Sequence, residues 1–172
     1  MIKNGEFSEK LCSNCKIIKS LREFPKSKYQ IDGYGLYCKI CNRIKINENE
    51  RIRMQNDILY RVFRKIKSTI FGAIKNGGYT KKSRTYEILG CSYEDFMIYI
   101  ESQFESWMEW SNHGVYTGNY NETWQYDHII PISSAMSEEE ILKLNHYTNF
   151  QPLCSKQNSD KRAKLDYTNL SF

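Results

Sequence analysis

The sequence of 172 residues predicts an α+β fold, and three patterns carry this prediction. Two Cys-x-x-Cys pairs lie near the amino terminus, an apolar residue recurs every four positions over 58–74, and apolar and polar residues alternate over 124–127 before Pro131 ends the run. These patterns are typical of a metal-held segment, an amphipathic helix and a short strand. In chain order we expect a four-cysteine segment, a basic helical region with a connecting helix, and a small strand-and-helix core, at 1–47, 48–119 and 120–172.

The cysteine pairs predict a structural zinc site. Cys12 and Cys15 form one pair, Cys38 and Cys41 form the other, and 22 residues separate the pairs. Four thiolates at this spacing fit a closed tetrahedral zinc site, and the alternatives are a redox pair or buried free thiols. Because a segment of about forty residues buries little core, zinc would supply its stability. The surrounding lysines and tyrosines suit either nucleic-acid contacts or the covering of this small core.

The region from Asn42 to Asn76 predicts one or two helices that end at Gly77 and Gly78. Its apolar stripe should be core, and its other faces are strongly basic. Residues 43–84 hold 12 Lys and Arg against 3 Asp and Glu, whereas residues 85–145 hold 1 against 11. A solvated helix face usually mixes signs, so the basic region favours a polyanion such as nucleic acid, with the acidic region facing away. The residues expected to contact it are Arg61, Arg64, Lys65, Lys81, Lys82 and Arg84.

The middle of the chain predicts helix starts and packing residues. Ser92 with Asp95, and Ser137 with Glu140, have the spacing of helix-capping boxes. His113 stands in a turn-forming sequence and is expected at the surface. The two cysteines outside the pairs, Cys91 and Cys154, are expected to be small buried residues.

The last third predicts two strands followed by a helix. Asp127 and His128 end the first strand, and a second short strand spans 149–152. Ser155 is expected to cap a helix over 155–164 that carries Asn158 and Lys161 one turn apart. The polar residues of these elements converge if the strand pair packs on the helix.

These residue types suit metal-assisted hydrolysis of a phosphodiester. Asp127 and Asn158 offer the oxygen ligands that Mg²⁺ or Mn²⁺ prefers, and His128 can take a proton from water. Asn149 can bridge the loop backbone and hold His128 in place. Singly, each of these residues could instead be structural. His146 could be a further ligand, a phosphate contact or a residue that orients the loop.

The run DHIIPISSA followed by HYTNFQPL resembles the phage-type HNH endonucleases, whose fold is called ββα-metal. The resemblance implies that His128 is the general base, that Asp127 and Asn158 hold a divalent ion, and that Asn149 is the middle Asn of an HNN variant. Lys161 matches the basic residue that often follows and is expected to pair with a flanking phosphate. The resemblance extends back to the first cysteines. It departs at Cys154, because Gln157 replaces the second cysteine of the further zinc pair that many members carry.

The resemblance therefore implies an endonuclease that cuts DNA, expected to be double-stranded, and leaves 5′-phosphate and 3′-hydroxyl ends. A zinc-stabilised DNA-binding protein without catalysis is the alternative, and RNA is an alternative substrate. No apolar run reaches the ~20 residues of a membrane span, and the start lacks a secretory signal. We therefore expect no membrane partner and an intracellular location, the host cytoplasm if the protein is phage-encoded. The sequence shows no clear dimer signature.

Overall fold

The computed structural model describes residues 9–164, which divide into two compact units between Asn56 and Asp57. In the described part, six α-helices and two small antiparallel sheets confirm the α+β class. The helices are α1 Lys39–Asn56, α2 Ile58–Asn76, α3 Thr85–Leu89, α4 Tyr93–Glu101, α5 Glu138–Leu144 and α6 Ser155–Lys161. The strands are β1 Glu9–Leu11, β2 Ile18–Ser20, β3 Trp124–His128 and β4 Phe150–Cys154. The predicted three-segment division includes residues outside 9–164 and stays a prediction.

The first unit is held around its cysteines. β1 and β2 pair antiparallel, with Lys10 opposite Lys19. The segment between the two cysteine pairs turns at Gly33, which has a φ of +73° and whose carbonyl accepts a hydrogen bond from the Ser27 N–H. Buried apolar residues of this unit are few: Phe24 packs with Cys12, Cys38 and Cys41.

The predicted apolar stripe of α2 is confirmed. Val62, Ile66, Ile70 and Ile74 are buried, whereas Ile58, at the first turn, is 39% exposed. Asp57 begins the helix by accepting the Tyr60 N–H, because the first N–H groups of a helix lack partners within it. The stripe therefore packs α2 into the core of the second unit, which also contains the following buried residues: Leu89, Phe96, Ile100, Met108, Trp124, Ile141 and Phe150.

Both predicted helix caps are confirmed. The Ser92 side chain accepts the Asp95 N–H at 3.0 Å at the start of α4, and the Ser137 side chain accepts the Glu140 N–H at 3.2 Å at the start of α5. Helix α4 precedes β3 in the chain, and helix α5 lies in the connection between β3 and β4.

The predicted strand pair and final helix are present. β3 and β4 are antiparallel, with Asp127 opposite Gln151 and His128 opposite Phe150, and α6 packs on both strands. The predicted Ser155 cap is wrong, because the buried Ser155 hydroxyl donates to the Gly114 carbonyl at 2.7 Å and so fastens an earlier loop. The helix also ends at Lys161, earlier than predicted, and Arg162 follows with a φ of +51°.

Within residues 9–164, no helix has the combination of length and apolarity that crossing a membrane requires.

Candidate active site

Asp127 lies on the face of the strand pair that α6 covers. Its carboxylate is 7% exposed, and its Oδ2 atom accepts from the Lys161 ammonium at 2.5 Å and from the Gln151 amide at 2.7 Å. Gln151 stands opposite Asp127 in the antiparallel register, so both strands and the helix contribute to this contact. A buried carboxylate is costly without such partners.

Lys161 is buried and faces the strand pair. It is 3% exposed, and its Nζ atom also donates to the backbone carbonyl of His128 at 2.6 Å. A third oxygen, the Ile129 carbonyl, lies 3.3 Å away. This burial contradicts the expectation that Lys161 pairs with a flanking phosphate, because its ammonium is enclosed by oxygens of the protein.

Asn158 lies on the same face of α6, one turn before Lys161. Its amide Nδ2 donates to Gln125 Oε1 at 2.9 Å, and Gln125 shares the strand face of Asp127 because alternate residues of a strand point the same way. Among the described residues, no donor bonds the Asn158 Oδ1 atom. The buried Oε1 atom of the neighbouring Gln157 likewise has no hydrogen-bond partner among the described residues.

The donor set around Asp127 fits a divalent ion in chemical type. A carboxylate and an amide oxygen are the hard ligands that Mg²⁺ and Mn²⁺ bind. The position against Asp127 Oδ2 is taken by the Lys161 ammonium, which supplies the positive charge there. A cation that binds Asp127 through this oxygen must displace Lys161.

His128 points to the opposite face of the strand pair from Asp127. Its ring packs 4.3 Å from the ring of Phe150, and its Nε2 atom lies 3.3 Å from Asn145 Oδ1. The Asn145 amide group donates to the Ile141 carbonyl at 2.8 Å, which directs its oxygen at His128. Because an amide oxygen only accepts, Nε2 carries the proton and Nδ1 is the basic atom.

Burial keeps the His128 ring neutral. It lowers the pKa of His128 to about 4, and the Lys161 charge acts in the same direction. The hydrogen bond with Asn145 and the charge of Asp127 oppose this shift without cancelling it. The imidazole is therefore in its proton-accepting form throughout the neutral pH range.

Asn149 ties together the backbone that connects β3 to β4. Its Oδ1 accepts the Ile130 N–H at 2.8 Å, and its Nδ2 donates to the carbonyls of Ile130 and Leu144 at 3.0 and 2.8 Å. It therefore fixes the chain two residues beyond His128, and the side chain that contacts the imidazole itself is Asn145.

His146 stands apart from these residues. Its Nδ1 atom lies 2.9 Å from Thr148 Oγ1, and its ring packs so closely on Gly90 that a β-carbon there would meet it at 2.3 Å. Among the described residues it makes no hydrogen bond or ring contact with Asp127 or His128. These contacts agree with a residue that orients the loop, and a role as a further ligand or phosphate contact stays a prediction.

The four paired cysteines form a cluster that could bind zinc. Their sulfur atoms all lie within 4.8 Å of one another, and the Cys38 N–H points at Cys12 Sγ over 3.3 Å. Burial raises the pKa of Cys12, but backbone N–H groups of Cys38, Cys15 and Asn14 lower it to about 6. Backbone N–H groups directed at sulfur favour the thiolate, which is the form that binds zinc.

The six predicted nucleic-acid contacts lie in different environments. Arg61 and Lys65 line one cavity, and Arg64 and Lys81 line a shallow groove with Lys67, Ser68 and Phe71. Lys82 lies 3.6 Å from Glu138, and Arg84 donates to the Tyr86 hydroxyl at 3.3 Å. The structure therefore brings together Arg61 with Lys65 and Arg64 with Lys81, whereas Lys82 and Arg84 have separate contacts.

The expectation that His113 lies at the surface is wrong. It is half-buried, with its ring 4.7 Å from that of Trp124 and 4.9 Å from that of Tyr126. Burial lowers the pKa of His113 to about 4, and the charges of Lys65 and Arg61 act in the same direction.

His113 should make the second unit sensitive to acid. Its pKa is about 4 when folded and about 6.5 when unfolded, so the unfolded state binds the proton first. The contribution of neutral His113 to the free energy of unfolding is complete above pH 6.5. It is lost as the pH falls towards 4, which lowers that free energy by up to roughly 3 kcal/mol. We expect His113→Gln to lose less stability than the wild type between pH 7.5 and 5. Urea unfolding followed by tryptophan fluorescence measures this, since all three tryptophans lie in that unit. An equal loss in both proteins would contradict the prediction.

The chain is similar over most of its length to two viral proteins of Acanthamoeba polyphaga mimivirus. "Uncharacterized protein L426" is 31% identical over 169 residues, which cover 91% of this chain and 70% of that protein. This chain belongs to the L426 family. "Uncharacterized protein L246" is 28% identical over 190 residues, covering 98% of this chain and 80% of that protein. No family model matches the chain, and no solved structure matches it. The two alignments cover so much of the chain that the L426 family relation includes both compact units.

Sequence reasoning missed three polar side chains of this candidate site. Gln125 and Gln151 contact Asn158 and Asp127, and the two-residue alternation of the strands could have placed Gln125 beside Asp127. Asn145, which is 0% exposed, contacts His128 from the end of α5. No sequence signal distinguished it from an ordinary turn residue.

Proposed function

We propose that this protein is a metal-dependent HNH-type endonuclease that hydrolyses phosphodiester bonds of DNA. One observation carries the proposal. Strand β3 ends in Asp127 and His128 and pairs antiparallel with β4, and helix α6 follows β4 directly and presents Asn158 to the strand face of Asp127. Asn149 ties the intervening backbone. This order of strand, strand and helix, with these residue types, is what the ββα-metal resemblance implies.

His128 is the proposed general base. Its Nδ1 atom accepts a proton from water while the water oxygen forms a bond to phosphorus and the bond from phosphorus to the 3′ oxygen breaks. The 3′ oxygen leaves as an alkoxide and takes a proton from solvent, so the products are a 5′-phosphate and a 3′-hydroxyl end. Asn145 holds the ring through Nε2, and Asn149 fixes the backbone that follows it.

Asp127 and Asn158 are the proposed ligands of a Mg²⁺ or Mn²⁺ ion. When bound, such an ion supplies positive charge that stabilises the leaving oxygen. To bind the ion through Oδ2, Asp127 must give up its contact with the Lys161 ammonium.

The basic residues are proposed to hold double-stranded DNA, and the four cysteines are proposed to hold zinc. Arg61, Arg64, Lys65 and Lys81 line cavities or grooves that a phosphate backbone can reach. If about six basic residues contact phosphate, the logarithm of affinity should fall with the logarithm of salt concentration with a slope of roughly −5.

A second function is favoured by the Asp127–Lys161 contact. Because Lys161 already neutralises Asp127, the chain could be a zinc-stabilised DNA-binding protein without catalysis. This alternative uses the same cysteines and basic residues.

His128→Ala should lower the cleavage rate by roughly 10²–10⁴-fold, the usual contribution of a general base. The measurement is conversion of supercoiled plasmid to open circle or linear DNA with Mg²⁺, Mn²⁺ or a chelator. Met136→Ala is the matched control, because Met136 lies in the same connection between β3 and β4 and is 89% exposed. It should cut at the wild-type rate.

The outcomes separate the two functions. Metal-dependent cleavage that His128→Ala loses would support the nuclease. Cleavage by His128→Ala at the wild-type rate would show that the general base is misassigned. Plasmid that shifts on a gel without being cut would favour the DNA-binding alternative, and a substrate panel that includes RNA would identify the polymer.

A further inference from the structure

A small cavity lies beside the strand pair in the second unit. Its volume is about 110 Å³, and it is lined on one side by Ile58, Arg61, Val62 and Lys65 of α2 and on the other by Trp110, Ser111, His113 and Tyr126. Arg61 and Lys65 are four residues apart, which places them on one face of the helix. The cavity is therefore bounded by two cationic side chains and by aromatic rings.

The positive charge of this cavity is not offset by the described residues that line it. In residues 9–164, neither the Arg61 guanidinium nor the Lys65 ammonium forms an ion pair or hydrogen bond. Like charges four residues apart on a helix repel, so both favour an anion between them. Two carboxylates bond lining residues: Glu109 accepts from the Ser111 hydroxyl at 3.0 Å, and Glu101 accepts from the Trp110 indole N–H at 3.2 Å.

Two further polar side chains, those of His113 and Tyr126, line the same space. The His113 ring is fixed between Trp124 and Tyr126 by ring contacts of 4.7 and 4.9 Å. Tyr126 also lines the cavity, and no described residue forms a hydrogen bond with its hydroxyl. A guanidinium, an ammonium, an imidazole and a phenol therefore line one small cavity.

The size and donors favour a phosphate group. The volume is below the roughly 300 Å³ at which sites for whole small molecules begin. An arginine side chain presents a planar set of donors that matches two phosphate oxygens, and lysine adds a point charge. A nucleoside would not fit, whereas a single phosphate group would.

The cavity lies on the same strand face as His128. Tyr126 is two residues before His128 in β3, and alternate residues share a face. The ring contacts agree, since Phe96 touches both Tyr126 and Phe150, and Phe150 touches His128. A phosphate held in the cavity would belong to a nucleotide near the one presented to His128.

We propose that Arg61, Lys65 and His113, with the Tyr126 hydroxyl, form a phosphate-binding subsite that holds one backbone phosphate of the nucleic acid near the cleavage position. The subsite rests on the proposed function for the identity of the polymer and for the cleavage position. In this subsite His113 positions the substrate. Arg61 and Lys65 bind one particular phosphate there, which gives them a role different from that of the other basic residues.

The first experiment titrates the full-length protein with inorganic phosphate and follows backbone amide signals by NMR. We expect saturable changes at Ser111, His113 and Tyr126. Arg61→Gln should weaken phosphate binding roughly 10-fold or more, as expected for loss of a charged hydrogen bond. Lys65→Gln serves as an independent second variant. Lys75→Gln is the matched control, because it removes one charge from an exposed position of the same helix, and it should bind phosphate as the wild type does.

The second experiment measures binding of a short DNA duplex across salt concentrations without added divalent ion. Arg61→Gln should reduce the salt slope by about 1, and Lys75→Gln should not. Saturable phosphate binding together with an unchanged salt slope in Arg61→Gln would mean that the ligand is free phosphate and would overturn the nucleic-acid assignment. An unsaturable titration and an unchanged slope would overturn the subsite.

The two proposals can fail separately. Wild-type cleavage with an unchanged salt slope in Arg61→Gln would remove the subsite and leave the nuclease. A reduced slope in a protein that never cuts plasmid would keep the subsite and remove the nuclease.

Discussion

Replacing Lys161 with methionine is expected to destabilise the second unit by about 3–5 kcal/mol, the usual cost of removing one partner of a buried ion pair. Lys161 and Asp127 are both almost fully buried, and the ammonium also bonds the His128 carbonyl. Without it, the Asp127 carboxylate would be left as an uncompensated charge. Chemical unfolding followed by tryptophan fluorescence at neutral pH measures the change.

The matched control is the double variant Asp127→Asn with Lys161→Met. It removes both charges together, so it should be clearly more stable than Lys161→Met alone. Mn²⁺ should raise the unfolding midpoint of Lys161→Met more than that of the wild type, because the ion would find Asp127 without a competing ammonium. A Lys161→Met protein as stable as the wild type would contradict the buried pair.

Removal of zinc is expected to unfold the first unit and leave the second folded. The four sulfur atoms lie within 4.8 Å of one another, and Phe24 is the only other buried apolar residue of that unit within the described residues. Zinc binding contributes roughly 10–16 kcal/mol in zinc-finger peptides, far more than so small a core supplies. Zinc content by mass spectrometry and amide exchange of residues 9–56 measure the effect.

Cys38→Ser should have the same consequence as the chelator, and Cys91→Ser is its control. Cys91 lies in the second unit outside the cluster, so its replacement should leave one zinc per chain and the exchange pattern of residues 9–56 unchanged. A chain that contains no zinc after purification, yet protects the amides of the first unit, would show that the cysteines are simply buried thiols.

Local patterns of the sequence determined most of the secondary structure. The four-residue spacing over 58–74 predicted α2, because a helix brings every fourth residue to one face and that face must be buried. Ser92 and Ser137 predicted the starts of α4 and α5, since a cap depends on residues only three positions apart. The spacing of the four cysteines likewise predicted their cluster.

Only the tertiary structure decided what the polar residues of the candidate site contact. Lys161 suggested a phosphate contact, but the packing of α6 on the strand pair turns it onto Asp127. Ser155 suggested a cap, yet its hydroxyl bonds a loop forty-one positions earlier. The surroundings of His113 and Asn145 are also set by distant elements.

The sequence by itself therefore determined the class of fold, five of the six described α-helices, the β3–β4 strand pair, the cysteine cluster and the residues that resemble an HNH site. The structure decided that Asp127 is paired with Lys161, that Asn145 holds His128, and that Arg61 and Lys65 share a cavity with His113. The physical reason is the distance along the chain over which each effect acts. Periodicity and capping act over a few residues, whereas burial and the partner of a charge depend on segments that only folding brings together.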